Sequence, residues 1–426
     1  MKKLRITGGA RLSGTVRIHG AKNSVLPVLA ACCLCCSPCV LHNCPEIEDV
    51  QTALAILESL GCKTRREGST LCIDPSGLSQ FRVEKRLAGK MRSSMLFLGA
   101  LLARCGKAEL ALPGGCPLGE RPIDLHVKSL SRLGARFSFE NGSLQAAWRE
   151  RQDADIFLPL PSVGATENLL LACALGEKTV TIHGAAREPE ISDLIGFLRA
   201  AGAEIRGAGT GEITVCGVKK LHGATYTILP DRIETATYLC MAAGASGEVE
   251  LRRADGRLLA PVIDSLREAG CEVRSEDGRI VLRSTGRLRA ISPVTTAPYP
   301  GFPTDAQAIL MAAVLKARGE SVLQETVFER RFLHVPELRK LGADIALSGN
   351  TARVRGVSCL HGAKLQAEDL RGAAALIAAC LMAEGESEVL GLCHLARGYE
   401  KLEQNLKNLG AAIKSVDIPA PFVYNT

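Results

Sequence analysis

Ser131-Arg132-Leu133-Gly134-Ala135-Arg136 recurs, with small variations, six times along this chain. The other copies are Glu58-Ser59-Leu60-Gly61-Cys62-Lys63, Arg199-Ala200-Ala201-Gly202-Ala203-Glu204, Arg267-Glu268-Ala269-Gly270-Cys271-Glu272, Arg339-Lys340-Leu341-Gly342-Ala343-Asp344 and Lys407-Asn408-Leu409-Gly410-Ala411-Ala412. Their glycines stand 73, 68, 68, 72 and 68 residues apart. The pattern reads as a helix end closed by a glycine, because only glycine takes the left-handed conformation there without steric cost. A strand hairpin is expected next, as in 63–73 with its turn at Glu67-Gly68-Ser69. A period of this length is a supersecondary unit repeated six times, too long for a thin solenoid. Three units per globular domain and two domains follow, with the break near Ile228-Leu229-Pro230-Asp231.

Ahead of each glycine stands a second, nearly apolar segment, as at 94–102, 169–175, 308–315 and 373–381. A helix apolar all round is buried on most sides. Polar residues gather where these helices begin: Lys22-Asn23, Met91-Arg92, Ser162-Val163-Gly164, Asp231-Arg232, Thr304-Asp305 and Leu370-Arg371. A helix start offers backbone N–H groups and the positive end of the dipole, so several starts converging on one cavity would bind an anion. The cavity is expected between the two domains, where closure can exclude water.

Composition narrows the function classes. The chain has 426 residues, 46% of them hydrophobic and 23% charged, which suits a globular protein with sizeable cores. Its net charge of +7 is dispersed, and with one Trp and five Tyr it has neither the basic footprint nor the stacking platforms of a nucleic-acid binder. The start is charged but lacks an apolar block, so a cytoplasmic location is expected and no membrane association. Residues 24–41 are uncharged but interrupted by Pro27, Ser37 and Pro38, and read as a buried helix rather than a span. Cys32, Cys33, Cys35, Cys36 and Cys39 in this stretch have overlapping C-x-x-C spacings, but helical periodicity would scatter them. They are read as small packing residues, with a metal or redox site as the alternative. The 17 cysteines overall fit a reducing compartment rather than a disulfide framework.

One loop stands apart. Residues 112–122, Leu-Pro-Gly-Gly-Cys-Pro-Leu-Gly-Glu-Arg-Pro, hold three glycines and three prolines, which exclude a regular helix or central strand. Cys116 is therefore expected to be exposed, and with Arg121 nearby it is placed for thiolate or proton-donor chemistry.

Taken together, Gly20-Ala21-Lys22-Asn23, this loop, Arg121-Pro122-Ile123-Asp124-Leu125-His126, Ser162-Val163-Gly164-Ala165-Thr166, Arg187-Glu188-Pro189-Glu190, Phe302-Pro303-Thr304-Asp305 and Arg397-Gly398-Tyr399-Glu400 closely resemble the UDP-N-acetylglucosamine 1-carboxyvinyltransferases, a family of enolpyruvyl transferases with the EPSP synthase-like fold. The resemblance runs from Leu4 to about Lys414. It implies an α/β (α+β) protein, a two-domain inside-out α/β barrel with three βαβαββ repeats per domain. Residues 22–229 would form the N-terminal domain with its catalytic loop, and 1–21 with 230–426 the C-terminal domain. The implied reaction moves the enolpyruvyl group of phosphoenolpyruvate to the 3'-hydroxyl of UDP-N-acetylglucosamine and releases phosphate, opening peptidoglycan synthesis and so serving the cell wall, cell shape and division. No metal or organic cofactor is implied; the two small-molecule substrates are the expected partners, and the chain is expected to be a monomer.

The residue roles are carried by the same resemblance. Lys22, Arg121 and Arg397 match the cations that bind phosphoenolpyruvate. Cys116 matches the proton donor, which is also the thiol that forms a phospholactoyl adduct, and Asp305 the group taking the proton of the sugar hydroxyl. Asn23 matches a contact to the reacting groups, Arg92 and Arg121, Pro122, Ile123, Asp124 and Leu125 contacts to the nucleotide sugar, Ser162, Val163 and Gly164 backbone contacts to the diphosphate, and Val327 a backbone contact to the sugar amide. Glu188, Asp231, Glu329, Arg331, Asp369 and Arg371 match further polar positions, suited to catalysis or to pairing between loops or domains. Two departures stand out: Leu160 where some members have lysine, and Glu120 where a small residue is usual beside Arg121. Retention of Cys116 implies sensitivity to fosfomycin, an epoxide that alkylates this thiol in the family. Competing readings are a shikimate-pathway transferase of the same fold, a metal or redox protein built on Cys32 to Cys39, and a UDP-sugar-binding paralogue without activity.

Overall fold

The computed structural model describes residues 2–111, 114 and 122–417. Cys116, Arg121 and Glu120 therefore lie outside the described residues. The chain divides into two compact units, one built from 2–18 and 232–417 and the other from 19–111, 114 and 122–231. Each contains three four-stranded sheets.

Every sheet is wired alike. In the second repeat of the 19–231 unit, strand Arg82–Val83 leads to the buried helix Leu96–Cys105, and strand Lys107–Ala111 returns parallel to the first. The outer helix Asp124–Arg132 then leads into the hairpin Ala135–Glu140 and Ser143–Trp148, whose second strand pairs antiparallel with Lys107–Ala111. Two sheets borrow a strand from a distant part of the chain. Ser13–Arg17 pairs parallel with Glu248–Arg252, and Thr225–Thr227 pairs parallel with Cys39–His42. Lys2–Thr7 completes a third sheet between Glu386–Leu390 and Ala412–Asp417, so the N-terminal strands belong to the unit holding the C-terminal half.

The six recurring glycines have positive φ, from +91° at Gly342 to +104° at Gly270. Each sits one residue beyond the helix cap rather than at the cap itself: Leu133 closes Asp124–Arg132 with right-handed geometry, and Gly134 follows at φ +98°. The requirement there is double, because a Cβ on Gly134 would stand 1.8 Å from the Glu150 carbonyl oxygen.

The apolar segments are the inner helices. In one unit they are Lys22–Cys32, Leu96–Cys105 and Val163–Cys173, and in the other Arg232–Gly244, Thr304–Ala313 and Leu370–Met382. Nearly every side chain of Leu370–Met382 is buried, as an all-apolar surface demands. The sheets stay separate, with helices on the inside and alternating strand faces outside, and no closed barrel forms among the described residues.

The expectation of one buried helix over 24–41 is corrected. The helix ends at Cys32, residues 33–38 turn, and Cys39–His42 is a strand. Pro38 has no N–H to offer a helix, and the backbone around it is taken up by Leu221 and Ala224, whose carbonyls accept from the N–H groups of Cys36 and Val40. The cysteines there are still packing residues: Cys32, Cys33, Cys35 and Cys39 are buried, and no three of them converge as a metal-ligand set. Burial likewise pushes the Cys173 and Cys380 thiols up to about 12, so they remain protonated.

Candidate active site

In the unit that includes 232–417, one hydrogen-bond chain joins the beginnings of two inner helices to the second turn of the third. Asp305 is in the first turn of Thr304–Ala313, where a carboxylate is favoured by the dipole; it is not the cap, a place held by Pro303. Its Oδ1 accepts from Arg331 Nη2 at 2.6 Å and its Oδ2 from Arg371 Nη2 at 3.0 Å. Arg371 lies in the first turn of Leu370–Met382, whose cap is Asp369, accepting the N–H groups of Arg371 and Gly372 at 3.0 Å each. The other arm of Arg371 reaches Tyr399 Oη at 3.3 Å, and Tyr399 in turn meets Thr237 Oγ1 of Arg232–Gly244 at 2.9 Å.

This chain sets the charge state of Asp305. Burial acts to raise its pKa, but the Arg371 and Arg331 guanidiniums outweigh that and hold the carboxyl well below the usual carboxylate range. The side chain keeps 26% of its exposure, so it is ionised, oriented from behind and reachable. Arg331 is buried and also donates to the Thr304 carbonyl, which fixes its fork toward the carboxylate. Arg397 follows the short helix Cys393–Ala396 as its half-buried cap, two residues before Tyr399. Val327 is exposed, but its N–H is committed to Glu325 Oε1 at 2.8 Å, so a ligand contact through Val327 falls to its carbonyl. Glu329 is exposed on the same loop.

The 19–231 unit carries the other described candidates. Lys22 opens its helix and is half-buried; its Nζ is 2.7 Å from Asp49 Oδ2, while its N–H donates to Asp231 Oδ2 at 3.2 Å. Asn23 follows it, half-buried. Arg92 donates to the Pro122 carbonyl at 3.3 Å, which joins the 92 turn to the Pro122–Leu125 stretch. Along that stretch Pro122 and Asp124 are exposed and Ile123 and Leu125 half-buried, and Asp124 pairs with Lys128 at 3.1 Å. Ser162 caps Val163–Cys173 by accepting from the Ala165 N–H at 3.3 Å. One lone pair of its hydroxyl is thereby used, and the helix geometry gives the Val163 and Gly164 amides no intrahelical acceptor. A Cβ on Gly164 would come within 3.2 Å of the His126 ring, so glycine lets the two segments close. Leu160 is exposed just ahead of them.

Two residues under this surface carry no local sequence signal. Asn168 is buried and clamps three partners: its Oδ1 accepts from the Gly99 N–H at 2.8 Å, and its Nδ2 lies 3.1 Å from the Met95 carbonyl and 2.9 Å from His126 Nδ1. Burial first, then the Arg92 charge, lowers His126 to about 4, so it is a neutral ring at ordinary pH. Asp49, the partner of Lys22, was equally silent in the sequence; a carboxylate in a helix's first turn is too common to mark a site.

The whole chain can now be compared with known proteins. The family model of EPSP synthase (3-phosphoshikimate 1-carboxyvinyltransferase) matches residues 6–406. The UDP-N-acetylglucosamine 1-carboxyvinyltransferase 2 of Caldanaerobacter subterraneus subsp. tengcongensis is 46% identical over 413 residues, 97% of this chain and 99% of that protein. The UDP-N-acetylglucosamine 1-carboxyvinyltransferase of Acinetobacter baylyi is 46% identical over 98% of this chain and 100% of its own. Among solved structures, the enolpyruvyl transferase NikO from Streptomyces tendae superposes with a TM-score of 0.89 at 28% identity, over 98% of this chain and 99% of that one. EPSP synthase from Acinetobacter baumannii, with a TM-score of 0.74 at 18% identity and coverage of 98% and 100%, shares the fold. No helix among the described residues is long and apolar enough to cross a membrane. With relatives matched nearly end to end, the chain is an enzyme of the UDP-N-acetylglucosamine 1-carboxyvinyltransferase family of enolpyruvyl transferases.

Proposed function

We propose that this protein transfers the enolpyruvyl group of phosphoenolpyruvate to the 3'-hydroxyl of UDP-N-acetylglucosamine with release of phosphate, in the cytoplasm, as the first committed step of peptidoglycan synthesis. The observation that carries the reading is Asp305, an ionised and reachable carboxylate held by two guanidiniums at the head of a buried helix, in a chain collinear with relatives named for this activity.

In the addition step the methylene carbon of phosphoenolpyruvate gains a proton and the adjacent carbon gains the sugar oxygen. Cys116 Sγ–H supplies that proton, leaving a thiolate, and Asp305 accepts the hydroxyl proton as the new C–O bond forms. Alternatively the Cys116 S–H adds across the double bond, its proton going to the methylene carbon and its sulfur to the adjacent carbon, which gives the phospholactoyl adduct; the S–C bond then breaks to return the thiolate as the sugar oxygen takes its place. In the elimination step the new methyl group returns a proton to the Cys116 thiolate as the C–O bond to phosphate breaks, which restores the double bond on the sugar ether. Lys22, Arg121 and Arg397 bind the phosphate and carboxylate, and the amides of Val163 and Gly164 the diphosphate. Pro122 to Leu125 and Arg92 position the nucleotide, with Asn23 and the Val327 carbonyl at the reacting groups and sugar amide. Asp49 sets Lys22 in place, and Leu160 provides no cation for the diphosphate.

The test is phosphate release from phosphoenolpyruvate with UDP-N-acetylglucosamine or shikimate 3-phosphate as acceptor. Turnover with the UDP-sugar alone is expected; turnover only with the shikimate ester would reject the proposed substrate.

A further inference from the structure

Cys359, His361 and Glu384 lie in the unit that includes 232–417, and their ligand atoms are all within 4.8 Å of one another. Cys359 and His361 precede the strand Lys364–Gln366, and Glu384 follows the C-terminal end of the inner helix Leu370–Met382. Arg371 stands at the other end of that helix, about 18 Å away at 1.5 Å per residue. The cluster is thus separate from the Asp305 network.

The backbone under the cluster is fixed. His361 and Glu384 form a parallel bridge: the Glu384 N–H donates to the Leu360 carbonyl at 2.7 Å, and the Gly362 N–H to the Glu384 carbonyl at 2.8 Å. The His361 N–H donates to the Leu341 carbonyl at 2.8 Å, tying the segment to the end of an outer helix. Gly362 permits the approach, since a Cβ there would stand 2.2 Å from the Glu386 carbonyl oxygen. The backbone carrying the three residues is accordingly anchored, while His361 and Glu384 themselves are exposed and Cys359 is half-buried.

The distances suit a tetrahedral ion. Cys359 Sγ is 3.9 Å from His361 Nδ1. A zinc ion bound by thiolate and imidazole at its usual bond lengths separates S and N by about 3.6 Å, which a small side-chain adjustment reaches. The Cys359 S–H is donated to the Leu360 carbonyl at 3.3 Å. That proton is the one a cation would replace: an Sγ–metal bond forms, the S–H bond breaks, and the proton leaves to solvent with no change in oxidation state. Thiolate and carboxylate together balance a dication, and the nearby Lys316 is the charge that opposes it.

The other unit supplies an internal comparison. Leu221-His222-Gly223-Ala224 repeats Leu360-His361-Gly362-Ala363, but Lys220 stands where this repeat has Cys359. His222 Nδ1 is engaged with the Gly223 carbonyl at 2.9 Å, and no ligand group of three converges around it among the described residues. The constellation therefore belongs to this one repeat and is not a consequence of the fold.

We propose that Cys359, His361 and Glu384 bind a zinc-class divalent cation, with the fourth position taken by water, outside the groups that carry the transfer reaction. The experiment uses the full chain, stripped of metal by chelation and kept reduced, with Zn²⁺ alone as the probe and a chromophoric chelator as competitor. Wild type is expected to take up one equivalent that Cys359→Ala and His361→Ala lose, with affinity falling by more than the roughly 10- to 100-fold that loss of an outer-shell partner costs. Glu384→Gln is expected to weaken binding in the same direction. Co²⁺ bound to wild type should show thiolate charge-transfer absorption that Cys359→Ala abolishes. A second measurement needs no variant: Zn²⁺ should slow alkylation of Cys359, mapped by mass spectrometry, while leaving that of exposed Cys393 unchanged. Zn²⁺ uptake that survives Cys359→Ala, no uptake by wild type, or alkylation of Cys359 at equal rates with and without Zn²⁺ would each overturn the proposal.

Discussion

Arg331 Nη2 lies 2.6 Å from Asp305 Oδ1, and the two side chains differ sharply in exposure, 2% for the arginine and 26% for the carboxylate. The cation is thus committed to the protein while the anion faces outward. A carboxylate built this way is ionised but weakly basic, so its use as a proton acceptor depends on placement rather than on a raised pKa. Asp305→Asn keeps the shape and removes the charge. Its kcat for UDP-sugar-dependent phosphate release should fall by about 10²- to 10⁴-fold with KM changed little, the range general acid-base groups contribute. Unaltered kcat would remove Asp305 from the proton path.

Arg331→Met tests how Asp305 is tuned. With one guanidinium gone, burial opposes ionisation with less compensation, and the pKa of Asp305 rises. The acid limb of the kcat profile should move to higher pH in the variant, and an unmoved limb would mean that another group titrates there.

Asn168 joins Gly99, Met95 and His126 in a buried site, so Asn168→Leu leaves at least one donor and one acceptor without partners. The expected loss is about 3 kcal/mol in urea unfolding, since each orphaned buried group costs roughly 1–3 kcal/mol. A loss under about 1 kcal/mol would show that water replaces the amide.

His126 gives a pH dependence of definite sign. Its folded pKa of about 4 is below the ordinary histidine value of 6.5, so the folded protein binds fewer protons than the unfolded chain between those limits. The stability it contributes is fully present above pH 6.5, declines as pH falls, and is gone below about 4, a swing of about 3 kcal/mol. Buried His334 is lowered to about 4 by burial as well and acts in the same direction. His126→Gln should flatten the profile in this window relative to wild type; parallel profiles would place the acid sensitivity elsewhere.

Cys116 is tested covalently. Wild type should be labelled by fosfomycin and Cys116→Ser should not, while Cys116→Asp should retain measurable transfer because a carboxylic acid can still donate a proton. Mass spectrometry of the intact chain reads the label, and unlabelled wild type would reject the role given to this thiol.

The repeating architecture follows from local residue chemistry. Leu133-Gly134-Ala135 and its five counterparts specify helix ends because a φ near +100° favours glycine, with a close carbonyl besides at Gly61 and Gly134, and the apolar segments specify inner helices because no polar face is left to meet water. Such rules are local, and so they can be read without knowing what packs where. The same local reading failed at 33–38, where a helix-like composition is overridden by hydrogen bonds to Leu221 and Ala224 from far along the chain. Only the tertiary structure decided which charges meet. Asp305 is 26 residues from Arg331 and 66 from Arg371, and Lys22 is 27 from Asp49, separations without any helical or strand period. The sequence could name Asp305 and Lys22 through a family likeness, but not their partners. Electrostatic energy falls with distance in space and takes no account of distance along the chain, so the charge state of a site is fixed only when the repeats fold against one another.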